Sequence, residues 1–269
     1  MRSTTCMNDF SEVQHGHRLL LRAWHGNSGK DFKVALDKCH PGVTSEIEQE
    51  FDKQTPAIMN GSFVACFSEH DPKEDRYGRL SMWRAYSSAG TGVAMVLNPG
   101  PFFQRSDALK AYSSPVAYLD DREFAEAIEQ IAANVDKERD LLGSFNRQFL
   151  RDVVLNVLRF AILCTKHPAF EEEQEWRIVY TPALFESTHV RRNVRVIRGV
   201  AQPVYDLPLK NIPEEGLTGI TIPELVHKII VGPTQYGPAV ASALIHLLND
   251  AGVAEPNKRI LVSNVPLRT

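Results

Sequence analysis

The chain has 269 residues, 43% hydrophobic and 23% charged, the ordinary mix of a globular protein with a buried core. Its 30 basic and 33 acidic residues leave a net charge of −3, so bulk electrostatics advertise neither a nucleic-acid nor a membrane partner, although a local basic groove is still allowed. Four cysteines with no C-x-x-C pair argue against a zinc knuckle, a redox dithiol or a disulfide scaffold. No run reaches the ~18–20 apolar residues of a membrane span, and no apolar signal core follows Met1. The expectation is a cytoplasmic protein without a membrane partner.

After a short start the first sixty residues read as helical. Asp9-Phe10-Ser11 offers caps for a helix to about Ala23, and Ser45 with Glu48 forms a capping-box pattern for a helix over 45–51. Ser62–Ser68 is a compact apolar run with β-branched and aromatic members and reads as a buried strand. A polar loop follows to about Arg79, then the short segment Ser81–Tyr86, whose type the pattern does not assign. Val93–Leu97 and Val116–Leu119 read as strands. Two helices follow, Glu123 to about Leu142 and Phe145–Cys164. The second places Phe149, Val153, Val157, Phe160, Ala161 and Cys164 on one expected core face. Strands are predicted at 175–180, 194–197, 204–207 and 228–231. Gly237-Pro238 opens a helix to Asn249, with Gly252 just past its end, and a last strand covers 260–262. Strands and helices do not alternate strictly, so the fold class is α+β. The expectation is one domain over 1–269, with the helical pair at about 121–164 as a candidate insertion. Cys66 and Cys164, both in apolar runs, read as core residues.

Phe170-Glu171-Glu172-Glu173-Gln174-Glu175-Trp176-Arg177 is the sharpest chemical feature. A strand beginning near Glu173 puts Glu173, Glu175 and Arg177 on one face and Gln174 and Trp176 on the other. Two carboxylates there suit holding a sugar hydroxyl and abstracting a proton, and Arg177 can steady one of them. The bland alternative is a solvated acidic turn. Trp83-Arg84-x-Tyr86 sets two aromatics beside a guanidinium, suited to a ring and a phosphate, or else to a core tryptophan and a structural ion pair. Ser68 ends a strand without a Gly-x-Ser-x-Gly context, so a hydrolase nucleophile is unsupported. His15 and His17 stand at i, i+2, cannot share a helix face and give no metal pattern. Ile229–Thr234 is a strand and turn before a helix, without the glycine density of a P-loop.

Met7-Asn8-Asp9-x-x-Glu12, Cys66-Phe67-Ser68-Glu69, Trp83-Arg84-x-Tyr86 with Gly90-x-Gly92, Phe170-x-x-Glu173-x-Glu175-x-Arg177, Ile230-Val231-Gly232-Pro233 and Ser263–Arg268 follow in an order that resembles the bacterial domain of unknown function 2971, over nearly the whole chain. That family is in turn similar to ADP-ribosyltransferases. The resemblance implies a mixed β-sheet core with flanking helices, NAD as substrate, Glu175 as the catalytic glutamate and Glu173 as the first member of a Glu-x-Glu pair. It also implies Ser68 as the middle-strand serine of the NAD site; Trp83, Arg84 and Tyr86, from their own chemistry, are the further candidates for contact with NAD. The implied role is a toxin or phage-defence effector with a protein or nucleic-acid acceptor and an antitoxin or regulatory partner. Family members begin with a strand reading roughly Tyr-His-Tyr-Thr-Ser, whose histidine contacts NAD. Neither His15 nor His17 matches it, and a rival expectation rests on that departure: a non-catalytic module that binds a nucleotide or partner through Trp83 and Tyr86.

Overall fold

A computed structural model of the chain describes residues 1–7, 11–87 and 91–265. Asn8-Asp9, Gly90 and Pro266–Arg268, used in the motifs above, lie outside the described residues. In chain order the elements begin β1 (Arg2–Ser3), α1 (Glu12–His25), α2 (Asn27–Cys39), α3 (Val43–Gly61), β2 (Phe63–Ser68), α4 (Leu80–Tyr86), β3 (Val93–Leu97), β4 (Tyr112–Pro115) and β5 (Ala117–Tyr118). They continue with α5 (Asp121–Lys137), α6 (Arg139–Ser144), α7 (Arg147–Leu163), β6 (Thr165–Lys166), β7 (Glu175–Tyr180), β8 (Arg191–Ile197) and β9 (Val200–Asp206). The last four are α8 (Ile222–Leu225), β10 (Val226–Val231), α9 (Gly237–Asp250) and β11 (Ile260–Val262). The class is mixed α+β. The chain divides into two compact units, the first Met1–Ser68 with Lys110–Leu207, the second Glu69–Leu109 with Pro208–Thr269.

The first unit holds a six-stranded sheet in the order β4-β7-β2-β1-β9-β8, antiparallel throughout, and a two-stranded parallel pair, β5-β6. Its core gathers Leu19, Leu20, Phe32, Leu36, Ile47 and Ile58 from α1–α3, Phe124 and Ile128 from α5, Leu158 and Ile162 from α7, and Val64 and Val179 from the sheet. Local chemistry sets the helix ends. Asp120 and Glu123 form a reciprocal capping box at the start of α5, and the Asn146 side chain caps α7. α3 begins earlier than the capping pattern predicts, because Gly42 takes a left-handed turn at φ 81° and starts the helix at Val43, leaving Ser45 inside it.

The core face of α7 differs from the expectation. Leu150, Val154, Leu155, Leu158, Ile162 and Leu163 are buried, whereas Phe149, Val153 and Val157 are exposed. This helix carries apolar residues on two stripes, and periodicity alone cannot tell which of them meets the core. The buried stripe packs against α1 and α3. Close docking of α1 depends on Gly16, where a Cβ would lie 2.2 Å from the Ile162 carbonyl oxygen. Cys164 is buried as expected, but Cys66 is solvent-exposed.

The second unit holds the sheet β11-β10-β3, with β10 antiparallel to β3 and parallel to β11. β11 therefore does not close the larger sheet. Val226, Ile229, Leu248 and Val253 form one apolar cluster of this unit, and Ala108, Ile212, Leu217 and Ile220 form another. α9 opens with Pro238 in its first turn and is followed by Gly252 at φ 78°, the proline-in, glycine-out grammar that made it legible. No described helix is long and apolar enough to cross a membrane.

Candidate functional site

β7 runs between β4 and β2, so the acid-bearing strand is internal and not an edge. Its register against β2 sets Ser68 opposite Glu175, Cys66 opposite Arg177 and Val64 opposite Val179. Directly opposed residues of an antiparallel pair project from the same face, with Cβ atoms ~4.5–5.5 Å apart. Ser68, Cys66, Glu175 and Arg177 thus share one sheet face, which continues into the helical core through Val64 and Val179. Trp176 and Phe67 take the other face.

Glu173 is not on the strand. Residues Pro168–Glu173 form a 3-10 helix, and Gln174 then adopts a left-handed conformation at φ 44°, ψ 55°. Regular extended alternation starts only at Glu175, so the expected common strand face holds for Glu175 and Arg177 alone. The acid pair is reunited by Lys166 on β6, whose Nζ lies 2.6 Å from Glu173 Oε2 and 3.2 Å from Glu175 Oε2. A third carboxylate joins from the first residue of α1: Glu12 Oε1 is 2.8 Å from the same ammonium. The Phe170 ring lies beneath that ammonium at 4.5 Å.

Arg177 completes the cluster. Its Nε donates to Glu175 Oε1 at 2.7 Å, its Nη2 to Glu175 Oε2 at 3.2 Å and to Glu12 Oε2, and its Nη1 to the Leu163 carbonyl at 2.6 Å. The Glu175 backbone N–H donates to the Tyr118 hydroxyl at 2.7 Å. Glu12, Lys166, Glu175 and Arg177 are all buried, two of each sign, while Glu173 keeps about a quarter of its side chain, 24%, in contact with solvent. Burial alone pushes the Glu175 carboxyl upward, but the Arg177 hydrogen bond and charge, with Lys166 beyond, hold it below the ordinary carboxylate value. Burial likewise opposes the charged forms of Arg177 and Lys166, and their carboxylate partners keep both pKa values raised. The Cys66 thiol is pushed up by the protein around it and by Glu175, which keeps it protonated and poorly nucleophilic although its side chain is accessible. The arrangement holds one ionised carboxylate rigidly beside an exposed serine, with a second, more accessible carboxylate tethered to it through Lys166.

Sequence reasoning named Ser68, Glu173, Glu175 and Arg177 but missed the roles of Glu12 and Lys166. Glu12 entered only as the last residue of the Met7–Glu12 motif, and no pattern singled out Lys166. The packing of α1 against α7 and β6 brings Glu12 to Lys166 and Arg177.

Trp83, Arg84 and Tyr86 lie on α4 in the second unit. Trp83 is buried and donates its indole N–H to the Tyr77 carbonyl at 2.8 Å. Gly78 and Gly232 lie against its ring, where a Cβ would come within 2.5 and 3.0 Å. Its place is in the core, the bland reading of the motif, while Arg84 and Tyr86 are exposed. Nearby, His70 Nε2 meets Asp75 Oδ1 at 2.7 Å, and Lys228 pairs with the other oxygen of Asp75. Gly232 donates its N–H to the Gly92 carbonyl at 2.8 Å, so the turn after β10 is tied to the start of β3.

Residues 82–178 match the model of a family described as a protein of unknown function, DUF2971. The match takes in α4 with Trp83, Arg84 and Tyr86, and β7 through Ile178 with Glu175 and Arg177. It covers a little over a third of the chain, against the nearly complete span that the motifs implied. No curated protein and no solved structure matches the chain.

Proposed function

We propose that this chain is an ADP-ribosyltransferase-like protein that uses NAD as substrate and modifies a protein or nucleic-acid acceptor, as a toxin or phage-defence effector does. One observation carries the reading: Ser68 and Glu175 stand opposite each other on adjacent strands and one sheet face. The residues present fit the nicotinamide-ribose end of NAD. Ser68 offers a hydroxyl, and Glu173 and Glu175 offer carboxylates for sugar hydroxyls. In the transfer, the glycosidic C–N bond breaks and nicotinamide leaves with its electron pair. The acceptor atom then bonds to the ribose carbon and gives up its proton. A fixed negative charge favours the oxocarbenium-like cation that develops between those events. Glu12, Glu173 and Glu175 outnumber Lys166 and Arg177 by one carboxylate, which supports such a charge; Glu175 would hold a sugar hydroxyl, and Glu173, the more accessible acid, would reach the sugar or take the acceptor proton.

A second reading, a module that binds a nucleotide or partner without turnover, is favoured by one feature: both Glu175 oxygens are already engaged by Arg177 and Lys166. The test is nicotinamide release from NAD, followed by chromatography, with mass spectrometry for ADP-ribose adducts on candidate acceptors. Turnover that Glu173→Gln and Ser68→Ala abolish, with the circular dichroism of the parent, supports the transferase. Calorimetric NAD binding with no nicotinamide released supports the module.

A further inference from the structure

β8 and β9 form a hairpin whose chemistry the site does not use. Arg198 at φ 52° and Gly199 at φ 78° make a two-residue turn of the kind that fits the twist of a tight antiparallel pair. β8 is the terminal strand of the six-stranded order, so its outer edge is unpaired among the described strands. Val194 pairs with Pro203, which has no N–H to give, and the Val194 N–H instead takes the Asn193 side-chain oxygen at 2.8 Å. The Val194–Pro203 pair is therefore of the non-hydrogen-bonded type, and the backbone groups of Arg192, Val194 and Val196 point outward. In sequence the hairpin holds four arginines, Arg191, Arg192, Arg195 and Arg198, and one acid, Asp206, on a chain whose net charge is −3. Val194 and Val196 are 63% and 73% exposed on the same face. Charge by itself can serve to blunt an edge, but it gives no reason for two outward valines between arginines.

We propose that β8 is a docking edge for an extended, acidic segment of a partner protein, which adds as a further antiparallel or parallel strand. Backbone groups of Arg192, Val194 and Val196 supply the ladder, the Val194 N–H exchanging its bond to Asn193 Oδ1 for a carbonyl of the added strand; the valines take small apolar side chains, and the arginines select acidic neighbours. A second copy of this chain is the poorer occupant, because antiparallel β8–β8 pairing sets arginines against arginines. Nucleic acid matches the charge but offers neither a strand ladder nor a partner for the valines.

The test is amide hydrogen exchange of the full chain with a short synthetic peptide of alternating glutamate and valine. Its lysine–valine counterpart and a single-stranded oligonucleotide serve as the other arms. The acidic peptide at millimolar concentration slows exchange at Val194 and Val196 at least about tenfold, and the lysine peptide does not. Val194→Pro, which removes an outward N–H and leaves the β8–β9 bonds in place, abolishes the slowing at the Val196 amide. Arg192→Glu with Arg198→Glu transfers the preference to the lysine peptide. Equal slowing by both peptides, no slowing at all, binding of the oligonucleotide alone, or self-association in sedimentation that Val194→Pro removes, each overturns the proposal.

Discussion

Replacing Glu175 with glutamine keeps the shape of the side chain and removes one charge from a buried quartet. Lys166 and Arg177 then share Glu12 as their one buried carboxylate, with Glu173 reaching Lys166 from a partly wet position. Removing one member of a buried ion pair costs about 3–5 kcal/mol, mostly as the uncompensated charge left behind. At about 2–4 °C per kcal/mol for a unit of this size, the midpoint of thermal unfolding falls by roughly 10 °C. Adding Lys166→Met restores balance, leaving Arg177 with Glu12, so the double variant is less destabilised than the sum of the singles by about 1–3 kcal/mol. Urea unfolding of the four proteins, with calorimetry for the midpoints, measures both quantities. A Glu175→Gln penalty under about 1 kcal/mol, or strict additivity of the two changes, refutes the claim that the quartet is an energetic unit. A Glu175→Gln protein loses stability along with any activity, whereas Glu173, partly in solvent, can be changed to glutamine at less cost to the fold.

The quartet also sets a pH window. Glu175 has a lowered pKa, so its contribution is complete above the unfolded carboxylate value of about 4.3 and is lost as pH falls through the folded value. Lys166 has a raised one, so its contribution is complete below about 10.4 and is lost as pH rises through the folded value. Urea midpoints measured against pH should show a plateau between these limits, and Lys166→Met should move the acid limb to higher pH. On α7, Leu158→Ala should cost about 2–5 kcal/mol, and Val157→Ala, one residue earlier on the exposed stripe, under about 0.5 kcal/mol; denaturant titration that reverses this order contradicts the assigned face. Arg159 is 2% exposed, and its guanidinium lies over the Phe160 and Phe185 rings at 5.1 and 4.5 Å. Burial lowers its pKa to about 10, and among the described residues it has no carboxylate partner. Arg159→Met should therefore hold or raise stability, by up to about 3 kcal/mol, as a calorimetric midpoint would show.

How much of this was legible in the sequence depended on the range of the forces involved. β2 showed because its apolar run is bounded by polar residues, and α9 because proline and glycine mark its ends. The Glu175–Arg177 pair followed from strand alternation alone. Glu173 was misplaced because a left-handed Gln174, which side-chain patterning does not encode, separates it from the strand. β1 is two residues long, below the reach of any periodicity, yet it fills the position between β2 and β9. Glu12 meets Arg177 across 165 positions, a contact that only the packing of α1 on α7 creates. The acidic run thus announced where chemistry could lie, while its counter-charges stayed hidden until the chain was folded.

The most direct measurement is proton NMR of NAD incubated with the intact chain, with free nicotinamide as the readout. Nicotinamide should accumulate with the parent protein, and the signal should vanish in Glu173→Gln and Ser68→Ala variants of unchanged midpoint. Intact NAD throughout, with every candidate acceptor supplied, or equal release by those variants, would contradict an ADP-ribosyl-transfer site at the Ser68–Glu175 face.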